Sequence, residues 1–439
     1  MKVSRYTFLY KSGSDRCYLY NTLSNALMQI DNKAFEHILS ANGGEILKQE
    51  LDDELWTELA KRKFITENDK DDYLLYKSMI MPLRAQTNFM HLTIAPTMEC
   101  NFKCFYCFET EKQKGKMSEE TMDSIVKYVM SAPNLSRIYL TWFGGEPLLA
   151  VDEMETFHRK LTERYDKSLD SNIITTGYHL DGKAIDVFKK IKISSVQITL
   201  DGNKEQHNKV KHIKECQDVF GKVLNNIDNL IKEIPEINVS FRINLTKQNA
   251  GEYVSLYREL SERYKNKNVT VSPAFVKNKN GNARKEYYFN EEEISKYVLN
   301  LWDKKRIYTP WIRYPSDTCN ECAIRDTMAM SFDPQGYAYK CWEVIGRRNH
   351  AIGKLQNDGT IAHVNRMLLN RQLYGADIFE DPECSKCEYL PICHGGCPIE
   401  RLQNEYENSH NELCTPYKGH IADFLKIHIE LIEAGYINH

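Results

Sequence analysis

Eleven of the thirteen cysteines fall in three tight groups, and the first group, Cys100, Cys104 and Cys107, has the spacing CxxxCxxC. Three thiolates can ligate three irons of a 4Fe–4S cluster and leave the fourth iron open. An open iron can bind a reactant rather than only relay electrons. Structural zinc prefers four closed ligands, commonly in CxxC pairs, and no fourth cysteine or histidine is adjacent to this triad. Tyr106 places an aromatic ring just before the third cysteine.

Other residues with chemical potential follow along the chain. Residues 142–147 read WFGGEP, so Gly144 and Gly145 allow close backbone approach beside the carboxylate of Glu146. Residues 198–202 read ITLDG, which puts Thr199 and Asp201 at the end of an apolar run, and Arg242 stands in FRINLT. Taken singly these are an ordinary turn, a strand-to-turn transition and a solvated arginine. Farther on, Cys319, Cys322 and Cys341 form a second group, and Cys384, Cys387, Cys393, Cys397 and Cys414 a third. Cysteine-only spacing of this kind serves either clusters or two tetrathiolate zinc sites. Cys17 and Cys216 stand alone, as small buried hydrophobes do. No role is assigned to His207, His394 or His410, because a lone histidine is more often a satisfied structural residue.

The segment TMECNFKCFYCFE at 97–109 resembles the signature of the radical S-adenosylmethionine (SAM) superfamily, and the later motifs match it in order. The resemblance implies that the triad holds the SAM-binding cluster and that Tyr106 lies beside the cofactor. It further implies that Gly144, Gly145 and Glu146 form the GGE motif, with the Glu146 carboxylate accepting from the SAM ammonium. Thr199 would lie near the SAM ribose, with Asp201 at the same strand end among the cofactor-binding residues, and Arg242 would hold the SAM carboxylate. The chain departs from the family's frequent TNG at 175–177, where Thr176 replaces asparagine.

The C-terminal pattern Cx13Gx4C, Cx2Cx5Cx3C and a last cysteine resembles the seven-cysteine SPASM domain, with Gly336 as its glycine and Cys319 as an eighth cysteine upstream. By that resemblance Cys319, Cys322, Cys341 and Cys397 hold one auxiliary 4Fe–4S cluster. Cys384, Cys387, Cys393 and Cys414 hold a second. Three clusters and SAM are therefore the expected cofactors.

These residues need a scaffold. From residue 91 the pattern alternates strand and helix, with strands expected at 91–95, 137–143, 172–176, 195–200, 238–245 and 269–275 and helices between them. Six such units imply an α/β fold with a parallel sheet, a partial (β/α)6 barrel. The triad, the GGE motif and Asp201 each follow a strand's C-terminal end, the face where barrels gather their active sites. Residues 1–86 carry short strands and then helices at 33–41 and 52–64, which suggests a winged-helix-like module; its resemblance to the recognition element of ribosomal-peptide maturases implies peptide binding, the alternative being a structural cap on the barrel. The expected division is thus 1–86, then 87–305 for the barrel, then 306–439 for the SPASM region, ending in an amphipathic helix at 417–434 stopped by Gly435. Residues 277–285 (KNKNGNARK) read as a loop.

The 439 residues fit two or three domains, with 42% hydrophobic and 27% charged residues and a net charge of −3, so nothing suggests a nucleic-acid partner. The first residues lack a signal-peptide core and no run is long and apolar enough for a membrane helix, so a cytoplasmic enzyme is expected. The resemblance implies reductive SAM cleavage to a 5′-deoxyadenosyl radical, which takes a hydrogen atom from a substrate. The expected partners are a ribosomally made precursor peptide, to be cross-linked through a thioether or C–C bond, and a one-electron reductant of the flavodoxin or ferredoxin type. The sister reading is an anaerobic sulfatase-type maturase making formylglycine. Such enzymes carry an aspartate base just after the cysteine matching Cys341, where this chain has Trp342; Glu343, one residue along a strand, is expected to point the other way. The readings of another class are a non-catalytic iron–sulfur protein that relays electrons or binds a peptide, and a zinc-stabilised interaction protein.

Overall fold

The structure, a computed structural model, describes residues 1–13, 16–41, 44–46, 48–109, 112–277, 279, 285–309 and 319–436. Much of the loop expected at 277–285 lies outside these residues, as does 310–318 near the start of the expected cysteine-rich region.

The chain opens with strands β1 (Lys2–Val3), β2 (Thr7–Ser12), β3 (Arg16–Asn21) and β4 (Ala26–Ile30). Helices α1 (Asn32–Ala41) and α2 (Asp53–Lys61), strand β5 (Ile65–Thr66) and helix α3 (Asp69–Ala85) follow. The alternating region runs β6 (Phe89–Ile94), α4 (Glu119–Met130), β7 (Arg137–Trp142), α5 (Val151–Thr162), β8 (Ser168–Thr175) and α6 (Gly182–Lys190). It continues through β9 (Ile193–Leu200), α7 (Lys204–Val210), α8 (Val219–Glu233), β10 (Asn238–Leu245), α9 (Tyr253–Arg263) and β11 (Val269–Phe275). After α10 (Glu291–Asp303) come short strands β12 (Met330–Phe332), β13 (Tyr337–Tyr339), β14 (Gly353–Leu355) and β15 (Ile361–Ala362). The chain ends with α11 (Arg366–Tyr374), α12 (Leu390–Cys393), α13 (Pro398–Tyr406) and α14 (Ile421–Glu433).

Two compact units result, one of Met1–Ala85, Asn290–Cys322 and Tyr374–His439, the other of Gln86–Phe289 and Ala323–Leu373. In the first, β2, β3 and β4 pair antiparallel in that order, and β1 pairs with β5. Asp52 caps α2 by accepting from the Leu55 amide at 2.7 Å, as its acidic first turn favours. That helix stops at Lys61 rather than at 64, because Lys63 turns left-handed (φ 66°) and the Phe64 amide closes back on the Leu59 carbonyl at 2.9 Å. The last helix starts at Ile421 rather than 417, after Gly419 at φ 82°.

In the second unit, β6 to β11 pair in parallel in chain order, the consequence of a helix returning each strand to the same end. Alternate residues such as Leu92, Ile138, Leu140, Ile198, Phe241 and Ile243 are fully buried, each worth about 1.5–3 kcal/mol of burial. The other face borders a cavity of about 720 Å³, lined among others by His91, Tyr139, Asn172, Gln197 and Ser240. Among the described residues the sheet has no hydrogen-bonded closing seam: β11 is one edge, and β12 adds in parallel to the far side of β6 before β13–β15 extend it antiparallel. The α/β architecture with a parallel-rich central sheet is the one expected.

Candidate active site

The triad sits in a loop launched by β6. Its base is clamped: Thr97 Oγ1 donates to the Gly115 carbonyl at 3.0 Å and accepts from the Glu99 amide at 3.1 Å, and the Gly115 amide donates to Glu99 Oε1 at 3.0 Å. Within the loop, the Cys107 amide turns back to the Cys104 carbonyl at 3.1 Å and the Phe102 amide lies 3.5 Å from Cys100 Sγ. The three thiols are half-buried and close enough that Cys104 acts electrostatically on both neighbours. Burial pushes Cys100 up to about 11 and raises Cys104 and Cys107, while the Lys112 ammonium pulls all three down. Soft sulfur donors fit an iron–sulfur core, which would hold them as thiolates, and the amide and the Lys112 ammonium would offset the negative charge those thiolates bring.

The two glycines of residues 142–147 work against this loop rather than being left open to a ligand. A Cβ on Gly144, at φ 114°, would lie 2.3 Å from the Thr97 carbonyl oxygen, and one on Gly145 would lie 2.3 Å from that of Glu99. Without side chains the segment zips on, Gly145 N to Thr97 O at 3.2 Å and Glu146 N to Glu99 O at 2.9 Å. Glu146 is wholly buried. Its Oε1 accepts from the Leu148 amide (3.1 Å) and Thr175 Oγ1 (2.5 Å), and its Oε2 from the amide (2.9 Å) and hydroxyl (2.5 Å) of Thr176. The residue that departs from the expected TNG thus serves to bind the carboxylate.

Asp201, at the end of β9, is the hub of a buried network. Tyr106 and Lys211 both donate to its carboxylate, Lys211 Nζ stands 3.3 Å from the Tyr106 hydroxyl, and Asn249 donates to the Asp201 carbonyl at 2.9 Å. Burial works against the Lys211 charge, but Asp201 and then Cys104 outweigh it and raise its pKa. Tyr106 is pushed well up by burial and by Asp201. His207 is fully buried, accepts from the Asp201 amide at 3.3 Å, and is held neutral, down to about 3, by burial and Lys211. Sequence reasoning missed Lys211; its only signal is a lysine one helix beyond the ITLDG strand.

Thr199 and Arg242 are register partners on neighbouring strands β9 and β10. Arg242 is exposed along its length, yet desolvation draws its guanidinium down, with Tyr106 and Glu343 acting the other way. Glu343 itself pairs with Lys279. Residues Trp342–Val344 form a 3-10 turn, not a strand, so the expectation that Glu343 points away from the position of Trp342 by strand alternation does not apply. Trp342 packs edge-on to Phe143 (5.0 Å between rings) and Phe108 (6.0 Å).

The first unit brings four of the C-terminal cysteines into mutual electrostatic reach: Cys393 with Cys414 and Cys387, and Cys384 with Cys393. Cys384 and Cys387 close a turn at 3.0 Å, and Cys393 ends α12 before His394, Gly395 and Gly396, all left-handed. A Cβ on Gly396 would meet the Leu413 carbonyl oxygen at 2.3 Å, so this glycine admits the segment carrying Cys414. Cys319 and Cys322 are exposed and Cys397 is half-buried in the same unit, whereas Cys341 belongs to the other. Among the described residues no three His, Cys, Asp or Glu side chains converge on a single metal ion.

The profile of the radical SAM superfamily matches residues 94–260, the span from the end of β6 through the GGE motif to α9. The chain carries a radical SAM domain. Enzymes of this class use SAM and 4Fe–4S clusters, and this radical SAM protein is an enzyme. It is 23% identical over 354 residues, 74% of this chain and 82% of the relative, to the serine-type anaerobic sulfatase-maturating enzyme of Klebsiella aerogenes. Among solved structures it resembles native anSMEcpe with bound AdoMet (TM-score 0.62, 20% identity, covering 79% of this chain and 99% of that one). It also resembles Streptococcus suis SuiB bound to the precursor peptide SuiA (TM-score 0.51, 13% identity, covering 94% and 97%). No described helix of the radical SAM enzyme is long and apolar enough to cross a membrane.

Proposed function

We propose that this radical SAM enzyme oxidatively modifies a ribosomally made precursor peptide, joining two of its side chains through a thioether or C–C bond. The observation that carries this reading is coverage. The likeness to SuiB, solved with its precursor peptide, spans nearly the whole chain, whereas that to anSMEcpe leaves about a fifth of it unmatched. Residues 1–86 are of that size. Their antiparallel sheet has β2 and β4 as edges, a geometry that takes an extended peptide as an added strand. We assign 1–86 to peptide recognition, 87–305 to the barrel chemistry and 306–439 to the auxiliary clusters.

Cys100, Cys104 and Cys107 would hold the SAM-binding cluster, and the other eight clustered cysteines two auxiliary ones as grouped above. When bound, the first cluster and SAM would supply a 5′-deoxyadenosyl radical that takes one hydrogen atom from the peptide; the second hydrogen would leave as a proton when the new bond forms, its electron passing to an auxiliary cluster. The chain's own residues position and shield. Gly144 and Gly145 dock the cysteine loop, and Thr175 and Thr176 fix the Glu146 carboxylate that would face the SAM ammonium. Thr199 and Arg242, side by side, would hold the ribose and carboxylate ends of SAM. Phe108, Phe143 and Trp342 pack ring against ring as an apolar cluster that would help to shield the reacting centre. The cavity is lined by apolar side chains such as Phe143 and Val196 together with polar Asn172, Gln197 and Ser240, a mixed surface that suits a peptide segment. One-electron chemistry requires an external reductant, and reduced thiols suit the cytoplasm.

The test is anaerobic reconstitution with SAM and dithionite, reading 5′-deoxyadenosine by mass spectrometry. Wild type should make it and Cys104→Ala should not. Incubation with a short peptide encoded beside this gene should then remove two hydrogens and create a cross-link visible in fragmentation; a peptide returned unmodified while SAM is consumed would reject the cross-link.

Formylglycine formation is the second reading. It is supported by the named activity of the Klebsiella aerogenes relative and by Glu343, a carboxylate in a 3-10 turn that pairs with Lys279 and acts on Arg242. Clean conversion of a sulfatase-type peptide, lost in Glu343→Gln, would replace the cross-link reading.

A further inference from the structure

The four sulfurs of Cys384, Cys387, Cys393 and Cys414 are accompanied by two cations from the same unit. Arg401 Nη1 lies 3.5 Å from Cys384 Sγ, and Lys418 Nζ lies 3.4 Å from Cys414 Sγ. Arg401 is 6% exposed and cannot swing away. Its Nε donates to the Ala376 carbonyl at 3.0 Å, its Nη1 also to the Gly395 carbonyl at 3.3 Å, and its Nη2 to Asp381 Oδ2 at 2.6 Å. Asp381 is itself fixed by the amides of Glu383 and Cys384, each at 2.9 Å. Its carboxylate offsets part of the Arg401 charge but leaves the donor on sulfur in place. Lys418 is exposed, and no described carboxylate forms an ion pair with it; its charge acts on Cys414, Cys387 and Cys393 together.

We propose that Arg401 and Lys418 bias the auxiliary cluster held by these four cysteines toward its reduced state. The inference rests on the assignment of those cysteines as cluster ligands. A 4Fe–4S core of charge 2+ with four thiolates carries a net charge of 2−, and taking up one electron makes it 3−. Neighbouring cations and hydrogen bonds to sulfur stabilise the more negative form, which raises the reduction potential. The arrangement suits a cluster that receives an electron. The two residues touch the ligand sulfurs only, so they are positioning residues.

The test uses the full-length protein with Cys100, Cys104 and Cys107 replaced by alanine, so that only auxiliary clusters remain. Iron and sulfide are counted after anaerobic reconstitution, and each cluster is followed by electron paramagnetic resonance during a redox titration. Lys418→Met should leave metal loading intact and lower one midpoint, cutting the reduced-to-oxidised ratio at the parent midpoint about threefold, near 28 mV for a one-electron couple. Arg401→Met should lower the same midpoint about tenfold in that ratio, about 59 mV, and Lys418→Arg should restore most of the Lys418→Met shift. Arg401 is buried and its variant can fail to fold; the exposed Lys418 keeps the inference testable. Fully loaded Lys418→Met protein with every midpoint unchanged would overturn the proposal. Protein without iron would instead overturn the cluster assignment beneath it.

Discussion

Lys211 closes on Asp201 inside the radical SAM domain, with both side chains buried and the Tyr106 hydroxyl completing the group. A buried ion pair is weak evidence of stability, but losing one partner strands the other charge. Lys211→Met should therefore destabilise the fold by about 3–5 kcal/mol, read as a lower urea midpoint. Pairing it with Asp201→Asn should cost less than the two single changes added, because the stranded charge is then gone. Full additivity would show that the pair does not act as a unit.

Thr176 places a hydroxyl and an amide on one oxygen of Glu146. Thr176→Val keeps the shape and the amide bond but removes the hydroxyl donor to a buried carboxylate. The expected loss is about 1.5–3 kcal/mol, the range for hydrogen bonds to charged groups, measured by thermal or denaturant unfolding. An unchanged midpoint would mean that the hydroxyl is not bound there.

Gly145 has no room for a methyl group, since an added Cβ would lie 2.4 Å from the Met98 carbonyl oxygen and 2.3 Å from that of Glu99. Gly145→Ala should push the cysteine loop from its seat and lower iron retained per chain after reconstitution. Gly182→Ala, where nothing lies within 4 Å, is the control that should retain iron as wild type does. Equal iron in both variants would show that the loop tolerates displacement.

The parts of this architecture that repeat with a strong period were legible in the sequence. The six strands fall within a few residues of their expected positions because their apolar runs are long and sit between amphipathic helices. The cysteine triad stood out by its spacing and the Gly144–Glu146 segment by its resemblance to a family motif, but that the two segments dock backbone to backbone could not be read from either. Lys211 was not, since its burial depends on Asp201 being brought to it by the β9–α7 connection. Strand β12, three residues long, has no period to read and forms because β6 offers it a free side. The strand alternation expected at Glu343 fails for a related reason: the segment after Cys341 is too short to carry a period, and it forms a 3-10 turn instead.

Strand β6, which launches the cysteine loop, is paired on both sides, by β7 and by β12, while β11 at the edge pairs, among the described residues, with β10 alone. Opening the foot of the loop therefore means breaking two ladders at once. The loop's seat should be among the slowest regions to admit solvent, with the amides of β6 outlasting those of β11 in hydrogen exchange. The thiols would then meet their metal on a foundation that is already set, so that loss of the metal need not take the sheet with it.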